Sequence, residues 1–325
     1  MLASFPRFDP NAFARGVKPS VWREIATNPL HPLQNRAIGS RYPPGSTFKI
    51  VTAAAGLHSG AITPYTSFYC PGALQLGRWR FRCHRRHGAT GFVKAIGASC
   101  DVYFYQVGLR TGIDTLAEMA HAFGLGEATG IDLVGESRGN IPTPEWKKKR
   151  YKEGWYDGDT VNTSIGQGFV QVTPLQMALV AAAVANRGTV MKPFVVKRII
   201  PPGGTPIDTQ PAVFKQVSLH SDLWRWIAEG MRAAVAGAGG TAHAANLPGI
   251  PVAGKTGTAE DPPRRRPHAW FICYAPADNP RIALAVVVEQ GGHGGAVAAP
   301  IARHILETFF GMEHARARGD ASATD

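Results

Sequence analysis

Residues 252–310 hold three strand-like runs in succession: Val252-Ala253-Gly254-Lys255-Thr256-Gly257-Thr258, Ala269-Trp270-Phe271-Ile272-Cys273-Tyr274 and Ile282-Ala283-Leu284-Ala285-Val286-Val287-Val288-Glu289. Their short connections let neighbours pair as an antiparallel meander. A helical pattern from Val297 to Phe310 follows. Upstream, helices dominate the reading. One begins at Ser46 and runs to Leu57, a second spans Lys94–Leu109, and a third spans Thr115–Phe123 and stops at Gly124. Thr173-Pro174 supplies an N-cap and first-turn proline for a helix reaching Gly188. Val190–Ile200 reads as a strand and Ser218–Val235 as a helix, while 1–44, 59–92 and 125–172 read as irregular. Helices first, then consecutive strands, then one helix predict an α+β fold with an antiparallel sheet.

Composition narrows the class. The 325 residues allow one large domain or two. A 44% hydrophobic content with 18% charge excludes a disordered chain. The longest apolar run, Met177–Ala185, is nine residues, against about 20 for a spanning helix. Met1-Leu2-Ala3-Ser4-Phe5-Pro6-Arg7 lacks the pattern of a signal peptide, so the chain reads as soluble with no export signal. A net charge of +12 suits an anionic partner. The basic clusters Lys147-Lys148-Lys149-Arg150 and Arg264-Arg265-Arg266 read as solvated loops, and without a zinc-finger, RNP or basic-zipper pattern no nucleic acid is expected.

Three short motifs carry chemistry. In Ser46-Thr47-Phe48-Lys49 the serine and lysine stand at i and i+3 on one helical face, so hydroxyl and amine can meet. The helix start directs free N–H groups at whatever the serine attacks. A neutral lysine could take the hydroxyl proton, which requires burial or a nearby cation. Alone, the motif reads rather as a plain N-cap serine with a solvated lysine, since Ser-x-x-Lys occurs by chance in many helices. The second motif is Ser99-Cys100-Asp101 in an apolar helical region. The third is Lys255-Thr256-Gly257-Thr258, where strand alternation sends Lys255 and Gly257 one way and Thr256 and Thr258 the other. Gly257 admits a close backbone, and an edge strand there can pair with an extended peptide. Their order and separations raise the odds above those of each motif alone.

Together these motifs resemble the active-site set of penicillin-binding proteins and serine β-lactamases. Tyr42-Pro43-Pro44-Gly45, Gly166-Gln167-Gly168 with Thr173-Pro174-Leu175-Gln176, and Gly254–Ala259 resemble the class B transpeptidases. Ser99–Gln106, Gly112-Ile113-Asp114 and Arg138–Thr143 with Glu145-Trp146-Lys147 resemble the elongation-specific penicillin-binding protein 2 branch. The resemblance spans Phe5–Gly311. It implies the penicillin-binding-protein and serine β-lactamase-like transpeptidase fold, an antiparallel sheet flanked by helices with an all-α subdomain. The domain would occupy 1–312, with a disordered tail at 313–325. Family members begin with a cytoplasmic tail, membrane anchor and pedestal that this sequence does not contain, so it is expected to be a fragment or excised domain.

The resemblance also assigns roles. Ser46 would attack the carbonyl between two terminal D-alanines of a peptidoglycan stem peptide, with Lys49 as general base. Backbone N–H groups of Ser46 and Thr258 would form an oxyanion hole, about 3 kcal/mol per donor. Lys255 would keep Lys49 neutral by like-charge repulsion and anchor the substrate carboxylate, with Thr256 and Thr258 as hydroxyl donors beside Gly257. Ser99 would relay a proton to the departing D-alanine. Asp101 stands where the wider superfamily has Asn, and its protonation state is open. β-Lactams would acylate Ser46. The full-length family works at the periplasmic face of the inner membrane in wall elongation and cell shape, with a SEDS-family glycan polymerase and the elongation scaffold as partners. A β-lactamase or D,D-carboxypeptidase is the alternative enzyme, disfavoured because no Glu-x-x-x-Asn segment is placed to hold a deacylating water. A non-catalytic β-lactam sensor is the third reading.

Four cysteines complete the inventory. Cys273 reads as a small buried hydrophobe. Cys70, Cys83, His87 and Cys100 offer three thiolates and an imidazole, enough for a tetrahedral structural zinc. Some members of the resembling branch carry a metal here with acidic residues replacing some cysteines. The competing reading is a Cys70–Cys83 disulfide with Cys100 free. Zinc is preferred, since a disulfide leaves His84, His87 and a thiol without purpose. No cofactor is expected for the chemistry itself.

Overall fold

In the strand His268–Ala275 every residue is buried, and its side chains alternate between two cores. Ala269, Phe271, Cys273 and Ala275 join one apolar cluster, while Trp270, Ile272 and Tyr274 join a second and larger one. That period of two places the strand at the centre of a sheet covered on both faces. The computed structural model describes residues 1–14, 16–261 and 266–312. The expected tail at 313–325 and two arginines of the second basic cluster, Arg264 and Arg265, lie outside the described residues.

In chain order the elements are α1 (Pro19–Thr27), α2 (Lys49–His58), β1 (Ser67–Cys70), β2 (Ala73–Leu76), β3 (Trp79–Arg82), β4 (Gly88–Gly91), α3 (Phe92–Gly97), α4 (Asp101–Thr111), α5 (Ile113–Ala122), α6 (Pro144–Tyr151), α7 (Asp157–Ser164) and α8 (Pro174–Ala185). There follow β5 (Thr189–Met191), β6 (Arg198–Ile199), β7 (Ile207–Asp208), β8 (Val213–Gln216), α9 (Ser221–Ala236), β9 (Ala253–Ala259), β10 (His268–Ala275), β11 (Ile282–Val288) and α10 (Ala298–Phe309). The main sheet runs β11-β10-β9, antiparallel throughout, with β9 at an edge. Helix α10 covers one face. On the other, α8 joins the larger core with α2, α4 and α5, the expected all-α part. Among the described residues no helix is long and apolar enough to cross a membrane.

The local readings stand corrected at several points. The helix expected from Ser46 opens as a 3₁₀ turn, Gly45–Phe48, before α2. The single helix expected over Lys94–Leu109 is two, α3 and α4, broken where Ser99 adopts φ +55°. The irregular 59–92 segment contains β1 to β4, pairing β1 with β4 and β2 with β3. The strand expected over Val190–Ile200 breaks after Met191, since Pro193 cannot donate to a ladder. Region 1–44 holds α1, a short amphipathic helix whose apolar side, with Val21 and Ile25, is only half-buried. Region 125–172 holds α6 and α7. The first basic cluster is therefore helical, and Lys147 is buried with its amine 2.6 Å from Asp159 Oδ2. Helix α6 opens with the Thr-Pro signal that announces α8: Thr143 Oγ1 accepts from Trp146 N at 3.1 Å.

Candidate active site

The 3₁₀ turn sets the position of Ser46. In such a turn residues i and i+3 eclipse, so Ser46 and Lys49 share one edge. Three contacts fix the turn from outside. Gly45 N donates to Gly166 O at 2.9 Å, Trp270 Nε1 donates to Pro43 O at 3.0 Å, and Tyr42 pairs through its backbone with Val172. Two glycines make the close approach possible. A Cβ on Gly166, at φ +69°, would lie 2.4 Å from Gly45 O. One on Gly257 would lie 2.8 Å from Pro44 O, so β9 runs directly beneath the turn as the sequence leads one to expect.

Lys49 and Lys255 enter from α2 and β9, and both side chains are buried. Lys49 Nζ donates to Ser99 O at 2.9 Å, Ser99 Oγ at 3.2 Å and Asp101 Oδ1 at 2.6 Å. Lys255 Nζ donates to the same Ser99 Oγ at 2.8 Å and to Thr256 O at 2.9 Å. The left-handed backbone at Ser99 ends α3 and turns both its carbonyl and its hydroxyl towards Lys49. Three chain segments therefore meet at one hydroxyl.

Electrostatics at this point differ from the expectation that Lys255 would neutralise Lys49. Lys49 is paired with Asp101. Burial, and after it the charge of Lys49, hold the Lys255 amine well below the usual lysine range. Burial would raise the Asp101 carboxyl, but the Lys49 charge and a hydrogen bond from His84 outweigh it and hold that carboxyl well below the usual carboxylate range. His84 is raised in turn, first by its bond to Asp101 and then by Cys83. The surroundings of Asp101 thus favour its carboxylate form.

Thr256 sits otherwise than expected. Its hydroxyl shares a 2.7 Å hydrogen bond with Thr241 Oγ1, behind the strand, while Lys255 points forward. Thr258 is half-buried, and its carbonyl lies against Gly45. Sequence reasoning missed Thr241, Trp270 and His84, because none belongs to a local motif with its partner.

The cysteine cluster assembles beside this centre. Ligand atoms of Cys70, Cys83, His87 and Cys100 lie within 4.8 Å of one another. All four cysteines are free thiols, with no Cys70–Cys83 disulfide. His87 Nδ1 lies 3.5 Å from both Cys70 Sγ and Cys83 Sγ. A zinc tetrahedron with bonds of about 2.3 Å to sulfur and 2.0–2.1 Å to nitrogen has N···S edges of roughly 3.5 Å, so the donor set fits zinc. Cys100 donates its S–H towards Cys83, which lowers the Cys83 thiol and raises that of Cys100. Asp101 N also donates to Cys83 Sγ, at 3.2 Å, which ties the cluster to the catalytic-type carboxylate.

A family model, the penicillin binding protein transpeptidase domain, matches residues 1–307. Over 329 residues the chain is 36% identical to the peptidoglycan D,D-transpeptidase MrdA of Haemophilus influenzae, covering 95% of this chain and 50% of that protein. The chain spans about half the length of the curated relatives it matches. The crystal structure of Pseudomonas aeruginosa PBP2 in complex with WCK 5153 superposes with a TM-score of 0.86 at 37% identity, over 94% of this chain and 67% of that one. Penicillin-binding protein A from M. tuberculosis, as its penicillin G acyl-enzyme complex, superposes at 0.82 with 33% identity, over 95% and 71%.

Proposed function

Because the chain belongs to the penicillin-binding protein transpeptidase domain family, we propose that it is the catalytic domain of a peptidoglycan D,D-transpeptidase that cross-links stem peptides in wall elongation. Ser46 is the nucleophile of this reading. The observation that carries it is the shared hydroxyl of Ser99, which two buried lysines from segments 50 and 156 residues away both reach beside the Ser46 turn.

The relay suggests a proton path. Lys49 gives one ammonium proton to Ser99 Oγ as the Ser99 hydroxyl proton passes to the Lys255 amine, whose proton affinity, lowered by burial in the free chain, is raised by the arriving substrate carboxylate. Neutral Lys49 then removes the Ser46 proton as Oγ attacks the carbonyl between the two D-alanines. The tetrahedral oxyanion faces the Ser46 and Thr258 N–H groups. Collapse breaks the C–N bond, and the departing D-alanine amine takes its proton from Ser99 Oγ, which Lys255 reprotonates. An incoming stem-peptide amine resolves the acyl-enzyme by the reverse sequence. Lys255 also anchors the terminal carboxylate of the substrate, and Thr256 holds β9 through Thr241.

Cys70, Cys83, His87 and Cys100 would hold a structural zinc. Four protein ligands leave no open position for water, so the metal would supply geometry alone. The domain would span 1–312, with 313–325 a tail. The whole protein would act at the periplasmic face of the inner membrane with a SEDS-family polymerase and the elongation scaffold, as the family resemblance implies.

Intact-mass analysis after incubation with benzylpenicillin tests the assignment. One covalent adduct per chain is expected, absent in Ser46→Ala and strongly slowed in Lys49→Ala. An adduct of full stoichiometry on Ser46→Ala refutes it. Rapid release of a hydrolysed product would move the reading to a β-lactamase or carboxypeptidase.

A further inference from the structure

Between Glu24 and Asp101 the sequence contains no Asp or Glu, yet Arg78, Arg80, Arg82, Arg85 and Arg86 fall within nine residues of that interval. They sit on and just beyond the β2–β3 hairpin, and all five are exposed. Strand alternation explains how. Phe81 turns inward against Tyr105, at 5.9 Å between ring centroids, so Arg80 and Arg82 turn outward on the opposite face. Among the described residues none of the five forms an ion pair. Arg78 lies over the Trp79 ring at 5.2 Å, and Arg85 Nη2 donates to Gly239 O at 3.2 Å. Among the described residues no carboxylate offsets the rest of the charge, although like charges so close repel one another.

This face is anchored to the reaction centre. Tyr105 OH donates to Arg82 O at 2.9 Å, and the residue after Arg82 is Cys83, whose sulfur accepts from Asp101 N. His84 N lies 3.4 Å from Asp101 Oδ2. Two residues of extended chain span at most about 7 Å, so the Arg82 backbone stands within about 10 Å of the Asp101 carboxylate, with its side chain turned to the solvent beside the centre. At the centre itself Lys49 is paired with Asp101, and Lys255 is held by Ser99 and Thr256 and reserved for the carboxylate of the first peptide. A second peptide arriving there must have its carboxylates met elsewhere. Guanidinium forks bind carboxylates in bidentate fashion, and an uncompensated row of them beside the centre is complementary to a polycarboxylate.

We infer that Arg80, Arg82, Arg85 and Arg86 form a subsite for the carboxylates of the acceptor stem peptide, holding an uncross-linked strand beside the acyl-enzyme. This inference rests on the transpeptidase reading, and the experiment separates the two. Fluorescence anisotropy measures binding of labelled, soluble, uncross-linked glycan strands bearing stem peptides, beside the same strands with their carboxylates amidated. The native chain should bind the anionic strands with affinity that falls as salt rises, and the amidated strands far more weakly. R80Q/R82Q should lose about tenfold in affinity, the size of two exposed guanidinium–carboxylate pairs, and R80K/R82K should recover part of it. Benzylpenicillin acylation of R80Q/R82Q should stay at the native rate, which shows that the variant is folded. Equal affinity of native and R80Q/R82Q chains for the anionic strands overturns the subsite, as does equal binding of amidated strands. Loss of binding to phosphatidylglycerol vesicles with strand binding intact would assign the face to lipid headgroups and also overturn it. Failure of the native chain to form a penicillin adduct would instead strike the transpeptidase reading, whatever the strands do.

Discussion

Replacing Gly257 by alanine should separate the Ser46 turn from β9 by a distance the structure specifies. The added Cβ would lie 2.8 Å from Pro44 O, 2.9 Å from Trp270 Cβ and 3.0 Å from Thr47 Cγ2, whereas ordinary contact begins at 3.4 Å. Turn and strand must therefore part by about 0.6 Å. Neither side yields easily. Pro44 O accepts from Thr47 Oγ1 at 2.7 Å, and Pro43 O is held by Trp270. Overpacking of this kind costs about 1–3 kcal/mol of stability. Since a 1 Å misplacement of reacting groups costs roughly a hundredfold in rate, 0.6 Å predicts about fifteenfold slower acylation. The measurement is the second-order rate of labelling by a fluorescent penicillin, with urea denaturation in parallel. Gly154→Ala is the control, because no heavy atom lies within 4 Å of its Cβ. A Gly257→Ala chain that acylates within twofold of the native rate at unchanged stability would falsify the argument that this glycine sets the spacing.

Three further outcomes follow from the same centre. Asp101→Asn leaves the buried Lys49 ammonium without its counter-ion and should cost about 3–5 kcal/mol at pH 7. The depressed Asp101 carboxyl means that the native state binds fewer protons than the unfolded one, so its contribution is complete above about pH 4 and is lost as pH falls below that. The gap between native and variant in denaturation should thus narrow from pH 7 to pH 3, and a constant gap would contradict the pairing. At Ser99, φ +55° favours glycine, so Ser99→Gly should be more stable than Ser99→Ala by about 1 kcal/mol although both slow acylation through loss of Oγ. Greater stability of the alanine variant would remove the case for strain. Elemental analysis should find one zinc per chain, and chelation or His87→Ala should lower Tm and slow acylation together, since Asp101 N–H rests on Cys83 Sγ. Metal-free protein with native stability and rate would end that reading.

Much of this protein was legible in one dimension, because the relevant interactions repeat locally. Strand alternation reports which residues share a face, and the register that pairs Ile272 with Lys255 on one side and Ala285 on the other is the meander expected from three adjacent runs. Helix capping is equally local, and Thr173 caps α8 with Gln176 as its reciprocal partner. The spacing of Ser46 and Lys49 survives the change from α to 3₁₀ geometry, since both bring i and i+3 together. The cysteine and histidine spacing foretold a cluster that the fold closes. Where no local period exists, the sequence was silent. Helix α6 is polar almost throughout and displays no apolar stripe, while α1 is amphipathic but only nine residues long and buries no residue fully. The left-handed turn after α3 falls on Ser99 rather than on Gly97, the glycine two residues earlier that would have announced it.

Only the tertiary structure decided the electrostatics of the candidate site. That Lys49 pairs with Asp101 while Lys255 carries the depressed proton affinity depends on 2.6 Å between two side chains 52 positions apart, and on burial of both amines. Thr256 likewise turns from the centre because its hydroxyl shares a hydrogen bond with that of Thr241, fifteen residues away. Periodicity along a chain records contacts between residues two to four apart. A charge responds instead to every group within several ångströms and to the water displaced around it, and only folding determines which groups those are.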